Sequence, residues 1–386
     1  MANMEEKKKT ILMRVLAVLL LFGVSFGLSF GTTRYLNTTS EAGNLQSPLS
    51  EDKDTTDLGP KDTPSPLNGA YYTKQHAAFW SERRPLAIMV ENHTQARPQS
   101  GLTSADVIYE AVAEGGITRF MAVYFAEEPE MVGPIRSART YYIDWLSEYD
   151  ALYAHVGGAN TPGPANALGQ IREYGIRDLD YMSRGYPLYE RLRDRLPGVA
   201  TEHTVYGYPT AMWAQGAKQG SGAVDSDTGK RWDENFRSWK FKDDAPESER
   251  PSSQVVDLQF WTGYSDYSVR WEYDKSTNSY KRFNGGQPFI DKNTDQQLAA
   301  KTVVVQVMKE SAARDGYEHG THLLYKTIGS GKATVFANGK ATEGTWKKDK
   351  RASRTLFFDA AGNEIELARG LIWITTLPDF GEMTVQ

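Results

Sequence analysis

Not one of the 386 residues is cysteine, and that absence bounds the fold more tightly than any other feature. Disulfides, zinc–thiolate centres, thiolate nucleophiles and cysteine-linked lipids are all excluded. Whatever forms must be held by packed apolar surface and hydrogen bonds. With 40% hydrophobic residues, a chain of this length buries one large core or two ordinary ones, and the length prior favours two domains plus accessories.

Lys7, Lys8, Lys9 and Arg14 precede an apolar run over residues 15–31. A cationic flank before such a run keeps the flank cytoplasmic and sends the remainder outward. Seventeen residues at ~1.5 Å each give about 25 Å, near the short limit for a bilayer. An uncleaved single-pass anchor and a signal peptide cleaved near Ser25-Phe26-Gly27 both fit, with the anchor preferred. The expected location is the cell membrane with an extracytoplasmic body, or secretion if the segment is cleaved. Without residues 1–36 the chain holds 39 basic and 47 acidic residues, a net charge of −8, which argues against nucleic acid as a partner.

Five regions follow. Residues 1–36 are the flank and membrane segment, and residues 37–70, rich in Ser, Thr, Asp, Pro and Gly, read as a disordered tether. Residues 71–214 alternate strand-like and helix-like runs, which predicts an α+β or α/β layered domain. Strands are expected near residues 85–90, 105–113, 119–125 and 151–156, and helices over 137–147 and 166–174, the second ended by Gly175. Residues 215–253 form a polar connector. Residues 254–386 read as a β-rich domain, with Asn338-Gly339 and Gly362-Asn363 as turns.

Residues 75–217 hold twelve arginines and no lysine, whereas residues 218–386 hold fifteen lysines and nine arginines. Guanidinium groups suit bidentate recognition of phosphate or carboxylate. Arg97, Arg119, Arg136 and Arg139 stand beside glycine, proline or strand ends, where layered folds place ligands. With a helix starting at Ser137, Arg136 would sit at its amino end and Arg139 in its first turn, favouring an anion. The competing reading pairs both with Asp144 or Glu148 along the helix.

His155 closes a strand-like run and His203 follows in a loop. With Asp144 either would form a base and its orienting carboxylate, or part of a metal site; the bland alternative is a satisfied structural histidine. His319 and His322 share a loop but do not make a metal motif. No Gly-x-Ser-x-Gly elbow occurs. The basic run over residues 347–351 reads as a solvated hairpin tip.

Residues 84–92 (RPLAIMVEN), 96–102 (ARPQSGL), 105–110 (ADVIYE), 114–120 (EGGITRF), 132–139 (VGPIRSAR) and 155–158 (HVGG) together resemble the YerB-like family of bacterial lipoproteins, as do the later 344–346 (GTW) and 370–374 (GLIWI). The resemblance covers roughly residues 68–378. It implies two consecutive domains of unknown function in a membrane-tethered envelope protein of Gram-positive type. The chain departs from the lipoprotein pattern in having no cysteine to acylate, so the apolar segment would have to supply the anchor. A fainter similarity joins the order of Arg136, Arg139, His155 and residues 175–180 to LytR-type phosphotransferases, which attach polyprenyl-phosphate-linked glycopolymers to the wall.

Three classes of function follow: a module binding an anionic wall or lipid-linked ligand through Asn92, Arg97, Arg119, Arg136 and Arg139; a phosphotransferase or hydrolase using Asp144, His155 or His203, with Mg as its candidate cofactor; and an envelope scaffold binding another protein. Convergence of the arginines on one cleft favours the first two.

Overall fold

The computed structural model describes residues 59–318 and 320–386. The cationic flank, the apolar segment, most of the tether and His319 lie outside the described residues. Among the described residues no helix is long and apolar enough to cross a membrane. The ordered body takes in the last residues of the expected tether: Thr63–Pro64 pairs with Tyr71–Tyr72, and Leu67 between them is fully buried.

The strands that carry the architecture are β1 (Leu86–Glu91), β2 (Val107–Glu114), β3 (Ile117–Tyr124), β4 (Leu152–Ala154), β5 (Arg177–Asp178), β6 (Val255–Gln259), β7 (Val269–Asp274), β8 (Ser279–Asn284), β9 (Thr302–Met308), β10 (Gly329–Ala337), β11 (Lys340–Lys348), β12 (Leu356–Asp359), β13 (Ile372–Pro378) and β14 (Glu382–Val385). Ten of them form one sheet in the order β12-β11-β10-β9-β13-β2-β3-β1-β4-β5. A smaller sheet runs β8-β7-β6-β14, with Gln287–Pro288 beyond β8. The α+β character of the first half and the strand-rich second half are as the sequence predicts.

The join between the halves is continuous. β13, from the second half, runs parallel to β2, from the first, with Ile372 to Thr375 opposite Val107 to Glu110. This follows from composition, because a strand can be central only if both faces are apolar, and all seven residues of β13 are buried. One face of the large sheet packs Ala87, Met89, Tyr109 and Val304 against Trp145 and Tyr149. The other packs Ile88, Phe120, Val303 and Trp373 against the small sheet through Val256, Leu258 and Trp271.

Two buried ion pairs cross the same join. Arg282 on β8 donates to Glu110 on β2 at 2.8 Å with both side chains fully buried. Trp373 Nε1 and Thr118 Oγ1 donate to the same carboxylate at 3.0 Å each. The Arg282 guanidinium lies 4.1 Å from the Trp373 ring centroid and 5.2 Å from those of Trp271 and Phe289, so its unbonded nitrogens face π-electrons. Glu148, just after a short helix at Thr140–Leu146, accepts from Lys348 Nζ at 2.7 Å, also fully buried. The reading of residues 347–351 as a solvated tip therefore fails at Lys348, while Lys347, Asp349 and Lys350 around it are exposed. Burial pulls its ammonium below the usual lysine range against the pull of Glu148. The connector is likewise part of the body, with Trp232 and Trp239 buried and Phe241–Lys242 pairing in parallel with Leu367–Ala368.

Candidate anion-binding site

Register decides where the functional side chains fall. β1 is parallel to β4 and β4 to β5, while β3 is antiparallel to both β1 and β2. The carboxyl ends of β1, β2, β4 and β5 and the amino end of β3 therefore share one edge, the edge at which layered sheets place ligands.

β1 ends in Glu91, whose register partner on β3 is Arg119. Glu91 is 4% exposed; one of its oxygens lies 3.0 Å from Arg136 Nε and the other 2.9 Å from His203 Nδ1. His203 stacks on His93 at 4.7 Å between centroids. Burial, followed by the His203 charge, makes His93 less basic than an ordinary histidine, with Glu91 opposing.

The β2–β3 hairpin turns through Gly115 (φ 52°) and Gly116 (φ 74°). Both central positions need positive φ, which the Gly-Gly pair supplies without strain. This tight turn sets Glu114 opposite Ile117 and brings its carboxylate back to Arg119 Nη2 at 2.9 Å. Arg139 Nη2 reaches the other oxygen at 2.5 Å. Arg119 also donates to Ser137 O at 2.8 Å. Arg119 holds the Glu114 carboxyl down to about 2, Arg139 and Arg136 adding and burial opposing, although the side chain is 40% exposed.

A depressed carboxyl stabilises the fold above its unfolded value of about 4.3 and loses that contribution as pH falls towards 2. Glu114→Gln is thus expected to flatten the fall of the urea midpoint between pH 5 and pH 2. An unchanged acid slope would mean that solvent screens the pair.

The Arg136–Arg139 segment is not helical. Ile135 bridges to Val90, Arg136 N donates to Met89 O at 3.1 Å and Ala138 N to Gly157 O at 2.9 Å, so its backbone is tied to the ends of β1 and β4. The helix begins only at Thr140, with Arg139 as its extended N-cap residue. The expected helix start at Ser137 is corrected, and with it the helix-end anion site. Nor do the two arginines pair along a helix with Asp144 or Glu148; their partners are Glu91 and Glu114.

Asp144 is elsewhere. Its carboxylate accepts from Thr327 Oγ1, and burial raises it above the ordinary aspartate range, with that bond opposing. His155, fully buried, has Asp178 Oδ1 at 2.9 Å from Nε2 and Gly157 O at 2.7 Å from Nδ1. Asp180 completes this loop by accepting from Gly157 N at 2.7 Å. The carboxylates beside the histidines are thus Asp178 for His155 and Glu91 for His203, neither of them Asp144. Among the described residues no group of three or more His, Asp or Glu side chains is arranged to hold a metal ion.

Asn92 is fully buried. Its amide donates to Thr118 Oγ1 and Asn284 Oδ1, and its carbonyl accepts from Arg97 Nε and Gln99. These bonds use its donors and acceptor internally, a structural role. Arg97 also donates to Asn92 O at 3.0 Å and Asp266 O at 2.9 Å, and burial lowers it to about 10. The four arginines therefore divide: Arg119, Arg136 and Arg139 gather around Glu91 and Glu114, while Arg97 ties Asn92 to the small-sheet half. Arg136 is a quarter exposed and meets Glu91 through Nε. That Nε is close enough for an ion pair but makes no hydrogen bond, and among the described residues neither terminal nitrogen of Arg136 is hydrogen-bonded.

Glu91, Glu114, Asp178 and Asp180 were not singled out from the sequence. Glu114 carried a readable signal, since Glu-Gly-Gly-Ile-Thr-Arg closes as a two-glycine hairpin that folds the acid back onto the arginine. Glu91 carried a weaker one, as the acid ending a buried strand.

Two family profiles match, one described as "Protein of unknown function (DUF3048) N-terminal domain" over residues 72–222 and the other as "Protein of unknown function (DUF3048) C-terminal domain" over residues 256–374. The chain is 28% identical over 306 residues to "Putative lipoprotein YerB" of Bacillus subtilis (strain 168), covering 79% of this chain and 84% of that protein. The crystal structure of YerB protein from Bacillus subtilis matches with a TM-score of 0.68 at 25% identity, over 83% of this chain and 99% of that one.

Proposed function

The chain belongs to the DUF3048 family, and from that premise we propose that it is a membrane-associated cell-envelope protein that binds a phosphate- or carboxylate-bearing ligand at the Glu91–Glu114 edge. The similarity to a protein named as a lipoprotein supports the location. The chain has no cysteine to carry a lipid, so the apolar segment over residues 15–31 would hold it to the cytoplasmic membrane.

The observation that carries the ligand reading is Arg136. Among the described residues its terminal nitrogens have no hydrogen-bond partner, on the same sheet edge at which the Glu114 carboxylate already lies between two guanidiniums. An acid fits the Arg119–Arg139 fork, and Arg136 offers a third fork on its solvent side. Hydrogen bonds to charged groups contribute about 1.5–3 kcal/mol, or at least tenfold in affinity. Calorimetric titration with pyrophosphate is expected to give saturable binding that Arg136→Ala weakens about tenfold or more. Binding unaffected by Arg136→Ala would show that the anion sits elsewhere.

The Glu91–His203 pair is the one observation favouring a phosphotransferase or hydrolase, since a carboxylate-held imidazole beside an anion fork is a general-base arrangement. Phosphate release during the same titration would establish it, and its absence with retained binding would leave a binding module.

A further inference from the structure

The guanidiniums of Arg119 and Arg139 are used only in part. On each, Nε and Nη2 share one edge of the planar group and form a fork for an oxyanion. Glu114 divides its carboxylate between the two forks: one oxygen accepts from Arg119 Nη2 at 2.9 Å, the other from Arg139 Nη2 at 2.5 Å. The Nε–H of both arginines is buried and has no acceptor among the described residues. Arg119 is 2% and Arg139 6% exposed, a setting in which an unmet donor is costly. A carboxylate shared in this way gives neither arginine a parallel pair of bonds. A phosphoryl group has three terminal oxygens, so that two can face one fork and two, one of them shared, the other.

The forks do not depend on Glu114 for their position. Arg119 Nη1 donates to Ser137 O at 2.8 Å and Arg139 Nη1 to Ala138 O at 3.0 Å, both carbonyls of the segment tied to β1 and β4. Glu114, by contrast, is free to turn away. Its side chain is partly exposed, it follows a register shift at the end of β2, and the space beside Gly115 is open. The tip itself is fixed, because the Tyr264 ring lies so close to Gly116 that a Cβ there would stand 2.4 Å from it. Departure of the carboxylate is therefore a rotation of one side chain, with the hairpin left in place.

We propose that Glu114 is a displaceable internal ligand, and that the external ligand of this edge is a phosphoryl group that expels the carboxylate and completes both forks. The proposal rests on the anion reading above and makes Glu114 the residue that sets specificity. A carboxylate tethered beside its partners acts at a high effective concentration. A free carboxylate offers only the same bonds and does not expel it, whereas a phosphoryl group adds bonds to Nε.

The test is calorimetric titration of the full chain with inorganic phosphate, phenyl phosphate and acetate. The unaltered chain is expected to bind phosphate at least about tenfold more tightly than acetate. Glu114→Gln keeps the shape and removes the competing charge, so phosphate affinity should rise about tenfold and acetate affinity with it. In the unaltered chain, saturating phosphate should move the carbon-13 resonance of the Glu114 carboxyl to that of a solvated glutamate, a readout that stands even if Glu114→Gln does not fold. Phenyl phosphate binding within about threefold of inorganic phosphate supports an ester-borne group, its substituent following the path of the Glu114 stem; exclusion of phenyl phosphate alone supports the free anion. Phosphate bound no more tightly by Glu114→Gln, or a Glu114 resonance unmoved at saturation, overturns displacement and spares an anion site at Arg136. Acetate bound by the unaltered chain as tightly as phosphate overturns the phosphoryl assignment. Binding of neither phosphate nor pyrophosphate by either chain overturns this proposal together with the reading beneath it.

Discussion

Glu110→Ala is expected to destabilise the protein by about 3–5 kcal/mol, the cost of leaving a buried charge without its partner. Glu110 is fully buried, and its removal strips a partner from Arg282, Trp373 and Thr118 together. Arg282 would keep its aromatic cage, which is worth less than a desolvated ion pair. Since Glu110 lies on β2 and Arg282 on β8, the loss falls on the join between the halves. Both halves should still unfold in one transition, because β13 is hydrogen-bonded to β2 on one side and β9 on the other. Urea unfolding followed by tryptophan fluorescence and far-ultraviolet circular dichroism checks this through coincident curves. The double change Glu110→Met with Arg282→Met should cost less than Glu110→Ala alone, since an apolar pair strands no charge.

The second large effect is expected at Glu148. Its carboxylate accepts from Lys348 at 2.7 Å, from Thr355 Oγ1 at 2.6 Å and from Thr355 N at 3.2 Å, with Arg354 at 3.4 Å. Glu148→Ala would leave the buried Lys348 ammonium with the Ser353 carbonyl at 2.6 Å but without its carboxylate partner, a cost again of about 3–5 kcal/mol. Arg354 is better protected, its guanidinium 3.4 Å from the Trp239 ring centroid and 4.4 Å from that of Tyr149. Lys348→Met should therefore be milder than Glu148→Ala, because it removes the charge that Glu148→Ala strands. Chemical denaturation of the two variants ranks them, and the reverse order would show that the carboxylate is the group in need of a partner.

Local structure was legible where a single residue decides it. Asn166 caps the helix at Ala167–Glu173, and Gly175, at φ 63°, follows its end. Asn338 and Gly339, at φ 54° and 70°, turn β10 into β11. What escaped was long-range. A run such as Gly370-Leu-Ile-Trp-Ile is apolar enough to be central, but its composition does not name Val107–Glu114 as its neighbour. The same limit governed the site. The arginines beside Gly and Pro divide between two sets of partners, and which acid each meets depends on strand register. Asp144 lies close in sequence to Arg139, and its helix carries it to Thr327 instead. Lys348 looked solvated amid Lys347, Asp349 and Lys350, and alternation on β11 turned it inward.

The anion site at the Glu91–Glu114 edge is tested most directly by arginine side-chain resonances. In nitrogen-15 spectra with assigned Nε–H signals, stepwise addition of pyrophosphate is predicted to shift Arg136 most, and Arg139 and Arg119 with the same saturation curve, while Arg97 stays in place. Shifts confined to surface arginines such as Arg231 and Arg270, or none at Arg136 under saturating ligand, would contradict an anion site at this edge.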